Sequence, residues 1–384
     1  SGAAMNWLAM KMLTGDRAKF LGLIFGVTFA TFLMSQQVSI FIGIVRRSAS
    51  QILDVRDATI WVMDRRVRHF DEAPGLPAGD LQRVRSVPGV KWAVHFYKGQ
   101  VLARLGAGLP RNVILEAIDD ASLVGAPAQM IAGSLADLKR PYAVIVDKAG
   151  YEYLWPGEPV QLGREFEMND RRAILMGVCK ASAPFVTLPV VYTRFNEALH
   201  YVPRQRNLMN FVLAEAEPGQ DPAEVARQIS GRTGLLALTQ EGFFWNTIRY
   251  MLGSTGIPVN FGITIALGFI VGVAVAGQTF YLFTLENLKH FGSLKAMGVG
   301  NARLVGMILL QALSIGGTGF GLGIGMTALF FDRTSHITHL AGLHMYWQAM
   351  VGVGVAVLLI VMLASLLSIR RVLVLEPAIV FRGA

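Results

Sequence analysis

The sequence predicts a membrane α-helical fold, four transmembrane helices with a large extracytoplasmic α+β domain inserted between the first and second. Three observations carry this. Of 384 residues, 53% are hydrophobic and 16% charged, and the mean hydropathy is +0.46, far from the balance of a soluble domain. The apolar residues are segregated into runs at 20–45, 250–285, 304–331 and 345–369, none of which holds a charged residue. Each exceeds the roughly 20 residues a helix needs to cross a bilayer, and backbone groups in lipid must pair within their own segment. Between the first two runs, about 210 residues regain charge and alternation, enough for one or two compact subdomains.

Taken in order, Ser1 to Ala4 precede Met5 and read as a remnant of expression. Residues 5–19 form an interfacial segment on the cytoplasmic side. The first span, 20–45, is longer than the apolar stretch of a signal peptide and ends in Arg46 and Arg47, so it is a retained helix. The inserted domain is 46–256, the second span 257–285, the inner loop 286–302, the third span 303–331, an outer loop 332–344, the fourth span 345–369 and the cytoplasmic tail 370–384. Orientation follows from the Lys/Arg bias of the flanks. With both termini cytoplasmic, Lys11, Arg17, Lys19, Lys289, Lys295, Arg303, Arg370, Arg371 and Arg382 lie inside, against Arg333, Arg46, Arg47, Arg56 and Arg249 outside. That excess explains part of the net charge of +9, so a pI near 9.8 requires no nucleic-acid partner.

Within the insert, strands are expected at 58–63, at 90–105 as a pair, and at 112–118, with a helix at 78–85. A middle block, about 124–200, carries strands at 142–146, 159–166 and 173–178. A strand at 210–214, a helix from the Asp221-Pro222 signal to Ile229, and a strand at 235–239 close the domain. The outer blocks form one split α/β subdomain with the β-rich block inserted in it, and 48–53 and 243–252 are candidate stalk helices.

Cys179 is the sole cysteine, so no intrachain disulfide is possible; it reads as a small buried apolar residue. Phosphate-loop, His-Glu-x-x-His, Gly-x-Ser-x-Gly and cysteine-cluster signatures are absent, so no catalytic residue, metal or cofactor is assigned to this chain. His336, His339 and His344 read as solvated loop histidines. Gly317, Gly321 and Gly325, four apart in the third span, read as a helix-packing or dimer face. Gln36 and Gln37, mid-span in the first helix, read as a helix contact or subunit interface.

The inner loop is the most informative stretch. Leu288, Phe291, Leu294 and Met297 recur every three residues and give a short amphipathic helix with Lys289 and Lys295 off the stripe. Gly298 is placed to end it and Asn301 to cap the next. An interfacial helix resting on lipid headgroups would show the same pattern.

The string Phe291-Gly-Ser-Leu-Lys-Ala-Met-Gly298 resembles the signature of the FtsX/MacB-type ABC transporter permeases, most of all the DevC branch known from glycolipid export. Asn6-Trp7-Leu8, the Phe29 to Gln36 string and Glu376-Pro-Ala-Ile-Val-Phe381 agree with it, as does the four-helix plan with a long first insert. Glu376 replaces the more usual Asp, and Ser35 stands where that branch tends to be apolar. The resemblance implies a MacB-like periplasmic domain and a homodimeric permease in the inner membrane of a Gram-negative bacterium. Each copy would engage a separate ABC ATPase subunit that binds ATP and Mg. It implies a coupling role for Leu288, Phe291, Leu294, Lys295, Met297 and Gly298. It further implies a periplasmic adaptor of the membrane-fusion type, a TolC-like outer-membrane channel and a lipid or other amphiphile as cargo. A FtsX-like or lipoprotein-releasing role on a periplasmic partner shares the same inner-loop logic.

Overall fold

The computed structural model describes residues 2–106, 108–202, 209–335 and 343–374. His336, His339 and the Glu376 to Phe381 string lie outside them. Helices α1 (Gly2–Gly15) and α2 (Arg17–Asp54) come first, then β1 (Ile60–Met63), α3 (Ala78–Arg85), β2 (Val90–Arg104), β3 (Arg111–Ile118) and β4 (Gln129–Gly133). A 3-10 turn (Leu135–Lys139) leads to β5 (Ala143–Asp147), α4 (Lys148–Leu154), β6 (Glu165–Met168), β7 (Arg171–Lys180), β8 (Val190–Arg194) and α5 (Phe195–Tyr201). There follow β9 (Phe211–Ala216), α6 (Pro222–Thr233), β10 (Leu236–Thr239), α7 (Gln240–Ser254), α8 (Ile257–Glu286), α9 (Leu288–Ala296), α10 (Asn301–Thr334) and α11 (Trp347–Val374). The chain divides into two units, Ser1–Gly43 with Gly256–Ala384, and Ile44–Thr255.

In the first unit α2, α8, α10 and α11 are each long and apolar enough to cross a membrane. They approach closely where glycine removes a side chain. A Cβ at Gly272 would stand 2.8 Å from Ala30 Cβ, one at Gly319 would stand 2.7 Å from Val27 Cβ, and one at Gly323 would stand 2.5 Å from Thr31 Cβ. Gly317, Gly321 and Gly325, expected as a helix-packing or dimer face, are exposed with nothing of this chain within 4 Å. The contact within the chain is instead made by Gly316, Gly319 and Gly323, because α10 carries interleaved glycine stripes and spacing alone does not say which faces inward. Gln36 and Gln37 are only half-buried. One polar link across the bundle is made by Ser35, fully buried, whose Oγ lies 2.5 Å from Thr327 Oγ1. Segment 5–19 is mostly helix α1, whose Ala9 and Leu13 are fully buried; Gln311 Nε2 of α10 donates to Ala9 O at 2.8 Å.

In the second unit the strand order is β10-β1-β9-β2-β3-β8-β5-β7-β4, with β6 pairing β2 and β7. The stretch expected as a strand pair at 90–105 is one unbroken strand. Its first half, to Phe96, pairs with β9, and from Tyr97 onward it pairs with β3. Asn210 fills the ladder at the changeover: Lys98 N donates to its Oδ1 at 3.1 Å and its Nδ2 donates to Lys98 O at 2.7 Å. A strand that changes neighbours needs no turn, and alternation cannot distinguish this from a hairpin. β3 pairs in parallel with β8, so the inserted block includes β3 and the far half of β2. The strand expected at 159–166 shrinks to β6, while β4, β8, α4 and α5 went unforeseen. Helix α6 starts as its sequence requires, with Asp221 Oδ1 accepting from Ala223 N at 3.0 Å and Pro222 in the first turn. It ends on Gly234 at φ 75°. Segments 48–53 and 243–252 are helical, within α2 and α7.

Candidate functional site

Helix α9 is held at both ends by local geometry. Asn287 turns the chain out of α8, donating Nδ2–H to Phe283 O at 2.8 Å. At the far end Gly298 has φ 87°. Val299 N donates to Leu294 O and Gly298 N to Lys295 O, both at 3.1 Å. These bonds satisfy otherwise unpaired carbonyls in a Schellman motif, with Val299 packed against the core that contains Leu294. Asn301, expected as a cap, is the first residue of α10; Gly300 holds the cap position and no side-chain bond is made there.

The apolar stripe does not face outward as one surface. Phe291 is fully buried and Leu294 is 7% exposed, both within the core of the helix bundle, with Leu288 packed partly against it. Met297 is 73% exposed. A helix nine residues long presenting apolar groups every third residue turns part of that stripe to whichever apolar surface lies nearest, here its own bundle. Lys295 donates Nζ–H to Leu373 O at 3.0 Å, near the end of α11, a favourable place for a cation. The outer face of α9 consists of Lys289, His290, Ser293, Ala296 and Met297. Between that face and α1 lies a groove of about 640 Å³ lined by residues of α1, α9 and their connections. At its lip Lys19 pairs with both Asp16 and Glu286.

The second unit holds a buried ionisable cluster that the sequence analysis did not assign. Lys98, nearly fully buried, donates to Asp71 Oδ1 at 2.5 Å and Gln51 Oε1 at 2.8 Å, with its Nζ 3.7 Å from the centre of the Phe70 ring. Opposite it in the β2–β3 register stands Glu116, buried with Oε1 unbonded. Burial raises Glu116 to about 7, against the pull of Lys98. Asp54 accepts from Ser182 N and Oγ at 2.7 and 2.8 Å. Burial likewise raises Asp147 to about 6, although Val190 N donates to it at 2.8 Å. Cys179 is buried and its thiol is pushed well up by desolvation. Gln240 Nε2 donates to Ile52 O and Val55 O at 2.9 and 2.5 Å, satisfying carbonyls at and just past the end of α2.

Four membrane-spanning helices with a short clasped helix after the second, and an α+β domain in the first connection, define a multi-pass membrane protein of the permease type. The profile of the FtsX-like permease C-terminal family matches residues 262–377, and that of the MacB-like periplasmic core domain matches residues 20–232. The chain belongs to the FtsX/MacB-type ABC transporter permeases. Uncharacterised ABC transporter permeases of Mycobacterium bovis and Mycobacterium tuberculosis are 30% identical over 115 residues, 30% of this chain and 32% of theirs. The match thus spans about a third of those relatives. Among solved structures, the extracellular domain of the noncanonic ABC-type transporter YknZ from Gram-positive bacteria is 19% identical, covering 47% of this chain and 98% of that one at a TM-score of 0.35. The periplasmic region of MacB from Actinobacillus actinomycetemcomitans is 13% identical, covering 53% and 96% at a TM-score of 0.37.

Proposed function

We propose that this chain is the membrane-spanning subunit of an ABC exporter, carrying motion from a separate ATPase to its α+β domain. Two copies of the permease each engage one ATPase subunit, which binds ATP and Mg and performs the hydrolysis. The domain faces the periplasm of a Gram-negative bacterium, where it works with an adaptor of the membrane-fusion type and a TolC-like channel, as the DevC likeness suggests. The cargo is a lipid or other amphiphile. Both termini, α1 and α9 are cytoplasmic on this reading.

The observation that carries it is the clasp on α9. A helix pinned by Phe291 and Leu294 and tied to the end of α11 through Lys295 moves with the bundle, so force applied to its outer face passes into the spans. An interfacial helix resting on headgroups would turn its apolar side to lipid and transmit little. Gly298 contributes by closing the helix; the exposed Met297 and its polar neighbours form the docking face, with Met297 its apolar anchor. Burying such a side chain is worth roughly 1.5 to 3 kcal/mol, and anchors of this kind dominate interfaces. The test is copurification of the ATPase with permease variants at equal membrane level. Met297→Asp should weaken it about tenfold or more without lowering the permease's unfolding temperature. Phe291→Asp should instead destabilise the permease itself by about 3 to 5 kcal/mol. Wild-type ATPase recovery with Met297→Asp sinks the docking role of α9.

A further inference from the structure

Helix α2 continues past the first span, and from Ile44 onward it belongs to the second unit. At its tip, Asp54 accepts from the Ser182 backbone and hydroxyl, and Gln240 donates to the Ile52 and Val55 carbonyls. One turn back stands Gln51, 4% exposed. Lys98 Nζ donates to its Oε1, while its Nε2 is buried and unbonded. That single bond ties this turn of α2 to β2, and Glu116 competes for the ammonium that makes it. Glu116 stands directly opposite Lys98 in the β2–β3 register, on the same face of the sheet. Lys98 nevertheless pairs with Asp71 alone among the described carboxylates. Facing Glu116 are Lys98 on β2, Asp71 in the loop after β1, Asp54 on α2 and Tyr192 on β8. Asp147 on β5 and Cys179 on β7 lie beyond Tyr192 and bear on it. A protonated Glu116 needs nothing from Lys98. An ionised one is a buried charge without a partner, and the cation that bears on it most is Lys98. To meet it, Nζ must move. Of its two acceptors, the neutral amide of Gln51 holds it less strongly than the carboxylate of Asp71, so Asp71 is kept and Gln51 released.

We propose that the Lys98–Gln51 bond is a proton-gated latch between α2 and the sheet: it is closed while Glu116 is protonated, and when Glu116 gives its proton to solvent Lys98 is drawn across to β3 and the latch opens. Burial raises Glu116 to about 7, so the latch closes below that pH and opens above it. Every group involved lies in the second unit, and the latch stands whether or not α9 receives an ATPase.

The test is hydrogen exchange of the full-length chain in nanodiscs at pH 5.5 and pH 8.5, corrected for the intrinsic effect of pH on exchange. Protection of the amides at 48–54 should fall about tenfold at the higher pH, as expected for the loss of one hydrogen bond to a charged group. Helix α6, which packs in a separate core cluster, should keep its protection. Glu116→Gln cannot titrate and should hold 48–54 at the high value at both pH values. Gln51→Met keeps the bulk of the side chain but removes the acceptor, and should show the low value at both. Equal protection at 48–54 in wild type at the two pH values would overturn the latch. So would a rise with pH, which would mean that ionised Glu116 tightens the contact. A fall shared equally by α6 would make the effect global and overturn it as well. If the wild-type fall persists in Glu116→Gln, another group of the cluster, Asp54 or Asp147, is responsible and the assignment to Glu116 is refuted.

Discussion

Glu116 stands opposite Lys98 in the register of β2 and β3, yet Lys98 spends its hydrogen bonds on Asp71 and Gln51. One cation thus faces several carboxyls in a dry interior, and the cheapest resolution is for Glu116 to keep its proton. Its value is raised from 4.5 to about 7, so the folded chain holds this proton more tightly than the unfolded one. The stabilisation is fully present below pH about 4.5 and is lost as pH rises through about 7, amounting to up to about 3 kcal/mol. Glu116→Gln keeps the shape and cannot titrate. The unfolding midpoint of the full chain in detergent, measured from pH 4 to 8, should fall less steeply in this variant than in wild type. Parallel curves would show that Glu116 is not the group responsible. The sequence did hold a signal here, since Glu116 is the one charge in the apolar run 113–118. It could not name Lys98, Asp71 or Gln51 as neighbours, because they converge from three separate segments.

Helix α10 shows how an element acquires two different faces. Gly323 lies under Thr31 and Thr28, where an added side chain would meet Thr31 Cβ at 2.5 Å and Thr28 O at 2.8 Å; a backbone oxygen cannot step aside. Gly321, two residues earlier, meets nothing within 4 Å. Gly323→Val should therefore force α2 and α10 apart and cost about 1 to 3 kcal/mol or more, as overpacking does. Gly321→Val should leave the unfolding temperature of the monomer unchanged. Thermal unfolding in detergent separates the two, and equal losses would contradict the packing described. α9 follows the same logic. Its period of three was legible, as was the left-handed glycine that ends it, because both are local properties of a short string. Which apolar residues turn inward was not, since Phe291 and Met297 are chemically alike as anchors and differ only in what stands beside them.

For the whole molecule, the orientation expected from the charge asymmetry has a direct test. Native Cys179 is buried with its thiol pushed up, so the wild-type chain is its own blank for an impermeant maleimide. Ala128→Cys on the α+β domain and Ser293→Cys on α9 are both exposed positions. In intact spheroplasts Ala128→Cys should be labelled and Ser293→Cys protected; the reverse pattern would invert the orientation. The sequence by itself determined the four spans, because a bilayer imposes one length and one polarity on any helix that crosses it, and each run meets both. It also determined where α6 begins, because the Asp221-Pro222 signal is local to that end. The tertiary structure decided the rest. It made 90–104 one strand shared by two neighbours, gathered Lys98 and Glu116 into the interior, chose Gly319 and Gly323 over Gly321 and Gly325, and split the α9 stripe between core and surface. Periodicity marks the faces of an element, but only the neighbours that arrive from distant parts of the chain fix which face is buried and against what.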